Sequence, residues 1–250
     1  MFEFNFIVFN DGSTDETKDV LESQDFRIKI VNGDGTFYWA KSMAAAEKMI
    51  ERVPDGILWV NDDLILTKNA FKKLMQGIKQ FPNSVLVGQV TDSNSGEILY
   101  GGYKRNGRHP LQLKLLPLSD QYQEADTFNG NFVYIPTEIR LVVGPINSYY
   151  SHAYADCDYG YRIIKSGFKI YTLPGTIGSG FRNPTLITNS RIAATKNLVN
   201  KKNSPLKSQL HFFLKFVPKN AFYLVPLYML SPFIRIWFTP RKNESLKKSI

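Results

Sequence analysis

Residues 4–9 form an apolar, β-prone run that stops at the turn signal Asn10-Asp11-Gly12. Ser13 and Asp15 open a short predicted helix reaching about residue 23. Residues 26–31 read as a second strand, closed by Asn32-Gly33-Asp34-Gly35. Residues 40–52 carry Met43, Ala46, Met49 and Ile50 near helical spacing. Pro54-Asp55-Gly56 breaks that helix, and residues 57–60 form a short apolar strand of the kind a buried parallel sheet contains. Asn61-Asp62-Asp63 follows it. Thr67 is placed to cap the next helix, whose apolar stripe is Phe71, Leu74, Met75 and Ile78.

The first eighty residues therefore alternate strand and helix three times, which predicts a mostly parallel sheet with covering helices. Such sheets bind ligands beyond the carboxyl ends of their strands. Asp11, Asp34 and Asp62-Asp63 all fall there, so three acidic turns are predicted to line one crevice. Farther on, residues 85–90, 98–103 and 131–135 look like strands, and 104–126 like a loop over the crevice. Helices are predicted at 137–143, stopped by Gly144-Pro145, and at 154–166, stopped by Gly167. A last strand covers 169–173. There is no internal repeat.

Charge divides the chain. Residues 191–250 hold twelve Lys or Arg and one acid, Glu244, whereas residues 1–190 hold 19 bases and 21 acids. The net charge of +9 thus belongs to the tail. The tail is also rich in Phe, Leu, Tyr and Trp, which favours an anionic lipid partner over nucleic acid. The single cysteine, Cys157, excludes an internal disulfide and fits a reducing compartment. Met1 is followed by Phe2, Glu3 and Phe4 with no basic leader, so no signal peptide is predicted.

Three segments could carry chemistry. Adjacent carboxylates in Asn61-Asp62-Asp63 suit a hard divalent cation shared with phosphates, although acid pairs in loops are common and a turn with a helix cap nearby is the plainer reading of the motif alone. Asp156 and Asp158 lie in the first turn of a predicted helix, where the dipole favours carboxylates. One of them could take a proton from a sugar hydroxyl, or both could be ordinary helix charge placement. Gly33, Gly35 and Phe37-Tyr38-Trp39 could bring backbone and an aromatic face to a ligand, or be a turn with core aromatics. His109, His152 and His211 show no zinc spacing. Serine-hydrolase and P-loop motifs are absent.

In this order the motifs resemble the family 2 inverting glycosyltransferases of GT-A fold. The matching pieces are Asn10-Asp11-Gly12-Ser13-Thr14-Asp15, Gly33-Asp34-Gly35 with Trp39, Asn61-Asp62-Asp63, Phe128-Asn129-Gly130-Asn131-Phe132, and the segment from Asp156 to Arg162 with Gly167 beyond. The Trp39 context and Asp156-Cys157-Asp158-Tyr159-Gly160-Tyr161-Arg162 look most like the rhamnosyl- and galactofuranosyltransferase-like branch of bacterial surface polysaccharide synthesis. The resemblance implies an α/β GT-A domain over residues 1–190, Rossmann-like, with a mostly parallel sheet and flanking helices. The resemblance also implies a strand ahead of the Asp11 strand, which is expected to be missing here. A basic, apolar, membrane-associating helical tail follows over 191–250.

The resemblance also implies roles. Asp11, Asp34 and Asp62 would bind the nucleotide-diphosphate-sugar donor, and Asp63 would bind Mg2+ or Mn2+. Asp156 would be the general base, with Asp158 and Trp39 binding the acceptor. The sugar would pass with inversion to a hydroxyl of a lipid-linked saccharide. Two departures concern the metal: Asn61 is neutral, and residues 175–184 lack a metal-binding histidine.

The apolar stretch Ala221–Phe238 contains Pro226, Pro232 and Arg235, which argue against a simple membrane span. Lys215, Lys219, Arg241, Lys242, Lys247 and Lys248 surround it, which predicts docking on anionic lipid. The expected location is cytoplasmic, peripheral on the inner face of the plasma membrane. Competing readings are a packed helical pair for the tail, a catalytically silent remnant that binds a partner or membrane, and a sugar-nucleotide pyrophosphorylase-like enzyme.

Overall fold

The computed structural model describes residues 3–24, 28–107, 110–150, 153–181, 191, 192, 195, 205–217 and 221–238. Its contacts divide the chain into two units, Met1–Pro184 and Thr185–Ile250. His109, His152, Lys219, Arg241, Lys242, Lys247 and Lys248, used in the readings above, lie outside the described residues.

The first unit opens with β1 (Phe6–Asn10), α1 (Thr17–Glu22) and β2 (Ile28–Asn32). β1 and β2 pair in parallel, Phe6 opposite Ile28 and Asn10 opposite Asn32. Helix α1 starts at Thr17 because the Asp15 carboxylate accepts the Thr17 N–H at 3.1 Å, an Asx-type start that spends residues 13–16 on the turn. Next come α2 (Tyr38–Glu47), β3 (Gly56–Val60), β4 (Ile65–Leu66) and α3 (Ala70–Gln80). Thr67 is not the cap of α3. Its hydroxyl donates to Ile177 O at 3.2 Å, and Asn69 holds the cap position.

β5 (Ser84–Asp92) is the spine of the main sheet. Val85, Leu86, Val87 and Val90 have no exposed surface, as expected of a strand covered on both faces. β6 (Ile98–Tyr100), β7 (Gly102–Arg105), β8 (Leu113–Leu115), β9 (Gln123–Ala125), β10 (Thr127–Phe128), β11 (Phe132–Pro136) and β12 (Lys169–Gly180) complete the strands. The main sheet runs β3-β11-β5-β12-β4, with β6 on β5 and β9 on β12. β5 and β12 are parallel, and the other pairs of this sheet are antiparallel. The α/β class is as expected, with a sheet that is mixed. β11 lies antiparallel between β3 and β5. α3 covers the sheet with Ala70 and Leu74, packed on Leu86, Val90, Phe132, Leu173 and Ile177.

The stretch 104–126, predicted as a loop, contains β8 and β9, and β10-β7-β8 form a small antiparallel sheet. β12 continues past the predicted end at 173 through register shifts around Thr176. Two helices complete the first unit, α4 (Thr137–Val143) and α5 (Ala155–Lys165).

The second unit contains α6 (Pro205–Phe216) and α7 (Ala221–Phe238). Among the described residues, no helix is long and apolar enough to cross a membrane.

Candidate active site

The loops after β1 and β2 are locked together by Asp11. Its Oδ1 accepts the Gly35 N–H and its Oδ2 the Tyr38 N–H, each at 2.9 Å. Gly12 has φ 72°, and a Cβ there would meet Gly35 N at 2.9 Å, so the loops close only over a glycine. Asp34 stands on the same rim. Its Oδ1 accepts the Thr36 hydroxyl and the Thr36 N–H, which hold its carboxyl below the usual value. Asp11 and Asp34 are thus brought together at the mouth of the β1–β2 pair, Asp34 exposed and Asp11 turned to the backbone.

At the end of β3 the triplet divides. Asn61 is committed to the protein: its Oδ1 accepts the Trp39 indole N–H at 2.8 Å and its Nδ2 donates to Asn131 Oδ1 at 2.5 Å. Asp62 and Asp63 are exposed. Partial burial, then the neighbouring charge of Asp62, raise the Asp63 carboxyl above its ordinary value. A cation beside the pair would relieve that repulsion. Among the described residues, no group of three or more His, Cys, Asp or Glu is gathered to hold a metal ion alone. Two adjacent carboxylates still fit Mg2+ or a similar hard cation, which commonly takes one or two carboxylates and fills its shell with phosphate and water.

The turn 129–131, between β10 and β11, meets α5. Gly130 N–H donates to Asp156 Oδ2 at 3.3 Å, and Asp156 Oδ1 accepts the Cys157 N–H at 2.8 Å. Gly130 has no side chain because the Trp39 indole fills that space. Trp39 also packs edge-on against Trp59, centroids 5.9 Å apart. Trp39, the triplet and Asp156 are therefore joined around one turn.

Asp158 behaves differently. Two residues along a helix is a rotation of roughly 200°, so Asp158 points inward where Asp156 points out. It has no exposed surface; Oδ1 accepts the Tyr150 hydroxyl at 3.2 Å and Oδ2 the Arg162 Nε at 2.8 Å. A direct acceptor contact does not fit a carboxylate so enclosed. Its geometry anchors α5 and thereby Asp156.

The described residues with left-handed backbone other than glycine are Tyr38, φ 54°, and Tyr154, φ 71°. Each stands immediately ahead of a site segment, Trp39 in one case and Ala155-Asp156 in the other. Such conformations cost bulky residues energy and cluster at functional sites.

Sequence reasoning missed Tyr103 and a buried charge. The Tyr103 hydroxyl donates to Asn129 Oδ1 at 2.7 Å. Burial first, then Cys157 and Asp156 nearby, push it up to about 12, so it remains a donor near neutral pH. Glu47 of α2 is buried and lies 3.5 Å from Arg140 Nε. Burial raises its carboxyl and Arg140 opposes the rise. Glu47, Arg140, Trp59 and Tyr159 tie α2, α4, β3 and α5 behind the site. Neither residue had a sequence signal: Tyr103 sits on a four-residue strand, and Glu47 reads as a surface charge.

The sequence model described as glycosyl transferase family 2 matches residues 2–137. No curated protein sequence matches the chain significantly. Among solved structures the fold is similar to GalNAc-T7, crystallised with UDP, GalNAc and Mn2+. The TM-score is 0.59 at 11% identity, over 88% of this chain and 52% of that one. It is also similar to S. aureus TarS 1-349, with TM-score 0.52 at 17% identity, over 94% of this chain and 72% of that one. A longer TarS structure gives 0.54 at 16% identity, over 94% and 42%. At such identities the likeness is one of fold. The chain spans about half the length of GalNAc-T7.

Proposed function

The chain belongs to glycosyl transferase family 2, and from that membership we propose that it moves a sugar from a nucleotide-diphosphate-sugar to an acceptor hydroxyl, with inversion. The observation that carries the reading is Asp156, held at the start of α5 by the N–H of Gly130, whose neighbour Asn131 bonds Asn61 of the acidic triplet.

In the proposed step the Asp156 carboxylate accepts the proton of the attacking hydroxyl. The hydroxyl oxygen forms its bond to the anomeric carbon as the bond from that carbon to the diphosphate oxygen breaks, and nucleoside diphosphate leaves. Asp63, with Asp62, would hold the Mg2+ or Mn2+ that offsets charge on the leaving diphosphate. Mn2+ and UDP in GalNAc-T7 support that choice of probes. Asp11 and Asp34 line the nucleotide side, Asp11 keeping lone pairs beyond its two backbone bonds. Trp39 would pack an aromatic face on the acceptor. The reading includes the finer proposals of a rhamnosyl- or galactofuranosyl-type donor, a lipid-linked saccharide acceptor for surface polysaccharide, and work at the inner face of the plasma membrane.

The test is nucleoside-diphosphate release from a panel of UDP-, GDP- and dTDP-sugars, with Asp156→Asn beside wild type. An amide keeps the shape but cannot take the proton, so release should fall about 10²–10⁴-fold while UDP binding by calorimetry is retained. A variant that keeps more than about a hundredth of wild-type turnover sinks the base assignment.

A further inference from the structure

The motif Phe128-Asn129-Gly130-Asn131-Phe132 has no role in the step above, yet three consecutive residues of it engage different parts of the site. Asn129 Oδ1 accepts the Tyr103 hydroxyl from β7, and its N–H donates to Gly101 O at 3.0 Å. Gly130 donates to Asp156 of α5 and lies against Trp39 of α2. Asn131, 7% exposed, takes both the Asn61 side-chain amide at 2.5 Å and, through its carbonyl, the Asn61 N–H at 3.0 Å.

The chemistry at position 61 follows from this wiring. The Asn61 amide must accept from the Trp39 indole and donate to Asn131 at once. An aspartate could accept but not donate, and a threonine is too short to do both. An amide pair of this kind fixes one orientation, because flipping either amide sets two like groups face to face. The neutral residue of the triplet is therefore accounted for without any contact to a ligand.

We propose that the turn Asn129-Gly130-Asn131 is the positioning element of the site, and that the Asn61–Asn131 amide pair holds Trp39 and Asp156 in register with the carboxylates of Asp62 and Asp63. Asn61 and Asn131 are positioning residues; neither touches the reacting atoms. This rests on the sugar-transfer reading, which it extends.

The experiment uses the full chain and the donor that wild type turns over. Asn131→Leu, Asn61→Ala and the double variant are compared for kcat, donor KM and Mn2+-dependent UDP affinity. Each single variant should lower kcat about 10- to 100-fold, the scale of an ångström-sized misplacement, with KM and UDP affinity unchanged. The double variant should lose no more than either single one, since both act through one tie. Should Asn131→Leu not fold, Asn61→Ala, at a half-exposed position, tests the same split. Turnover like wild type, a loss carried by KM or UDP affinity, or additive losses would each overturn the proposal. A wild type that turns over no donor overturns the enzymatic reading itself, and the inference falls with it.

Discussion

A methyl group placed on Gly130 would lie 2.2 Å from Cζ2 of Trp39. The indole cannot simply retreat, because its N–H is held by Asn61 and its edge meets Trp59. Gly130→Ala should therefore cost on the order of 1–3 kcal/mol of stability, as overpacking of a closed site does, read as a lower urea midpoint. It should also weaken the Asp156 contact by displacing the Gly130 N–H. A midpoint equal to wild type would show that Trp39 is not wedged.

Cation binding should depend on pH through Asp63. Its carboxyl is raised by partial burial and by Asp62, so it takes up a proton at a higher pH than an isolated aspartate. Calorimetry of UDP with Mn2+ should show affinity falling as pH drops through that raised value, and Asp63→Ala should remove most of the metal-dependent affinity. In EDTA the variant and wild type should bind UDP alike. Identical metal responses would reduce the pair to a turn.

Glu47 should leave a mark on stability. Burial holds its carboxyl above the unfolded value despite Arg140. Between the unfolded and folded values, the folded state keeps a proton that the unfolded chain has released. The stability tied to Glu47 is complete below the unfolded value and is lost as pH rises through the folded one. Glu47→Gln should flatten that part of the stability–pH curve, measured as urea midpoints in pH steps. A curve as steep as wild type would assign the slope to other groups.

On α7, Tyr223, Leu227, Leu230, Ile234 and Trp237 are all exposed and recur every four, three, four and three residues. An apolar stripe amid cationic sequence suits the interface of an anionic bilayer. The full chain should pellet with vesicles containing anionic lipid at low salt, and a chain ending before Leu206 should not. About 1 M salt, where the Debye length is roughly 3 Å, should weaken binding if charge dominates. Carbonate should extract a peripheral protein. Full-length chain left in the supernatant would refute docking.

The sequence was readable where an element was long and periodic. The alternation through α3 and the acidic turns after β1, β2 and β3 are where the pattern puts them, because strand ends carry turn signals and helices carry stripes. Strands of two to four residues carry too few positions for a period, so β8 and β9 read as loop. Orientation was the other blind spot. Asp156 and Asp158 look equivalent in sequence, and only the helical rotation and the partners Tyr150 and Arg162 separate an outward carboxylate from an anchor. Thr67 misled because a hydroxyl near a helix start can bond across the sheet instead.

The two backbone bonds of Asp11 also bear on how mutagenesis of this crevice is interpreted. Aspartate is the short side chain that offers acceptors on both oxygens, and here one oxygen closes on Gly35 and the other on Tyr38. Asparagine would turn one of those oxygens into an NH2 facing another N–H. A scan by alanine or asparagine will thus score position 11 as severely as a ligand contact, through collapse of the loop geometry alone. Severity at that position measures architecture, and nucleotide recognition is better sought in neighbours such as Asp34, whose carboxylate stands in solvent and whose loss would leave the two loops clasped.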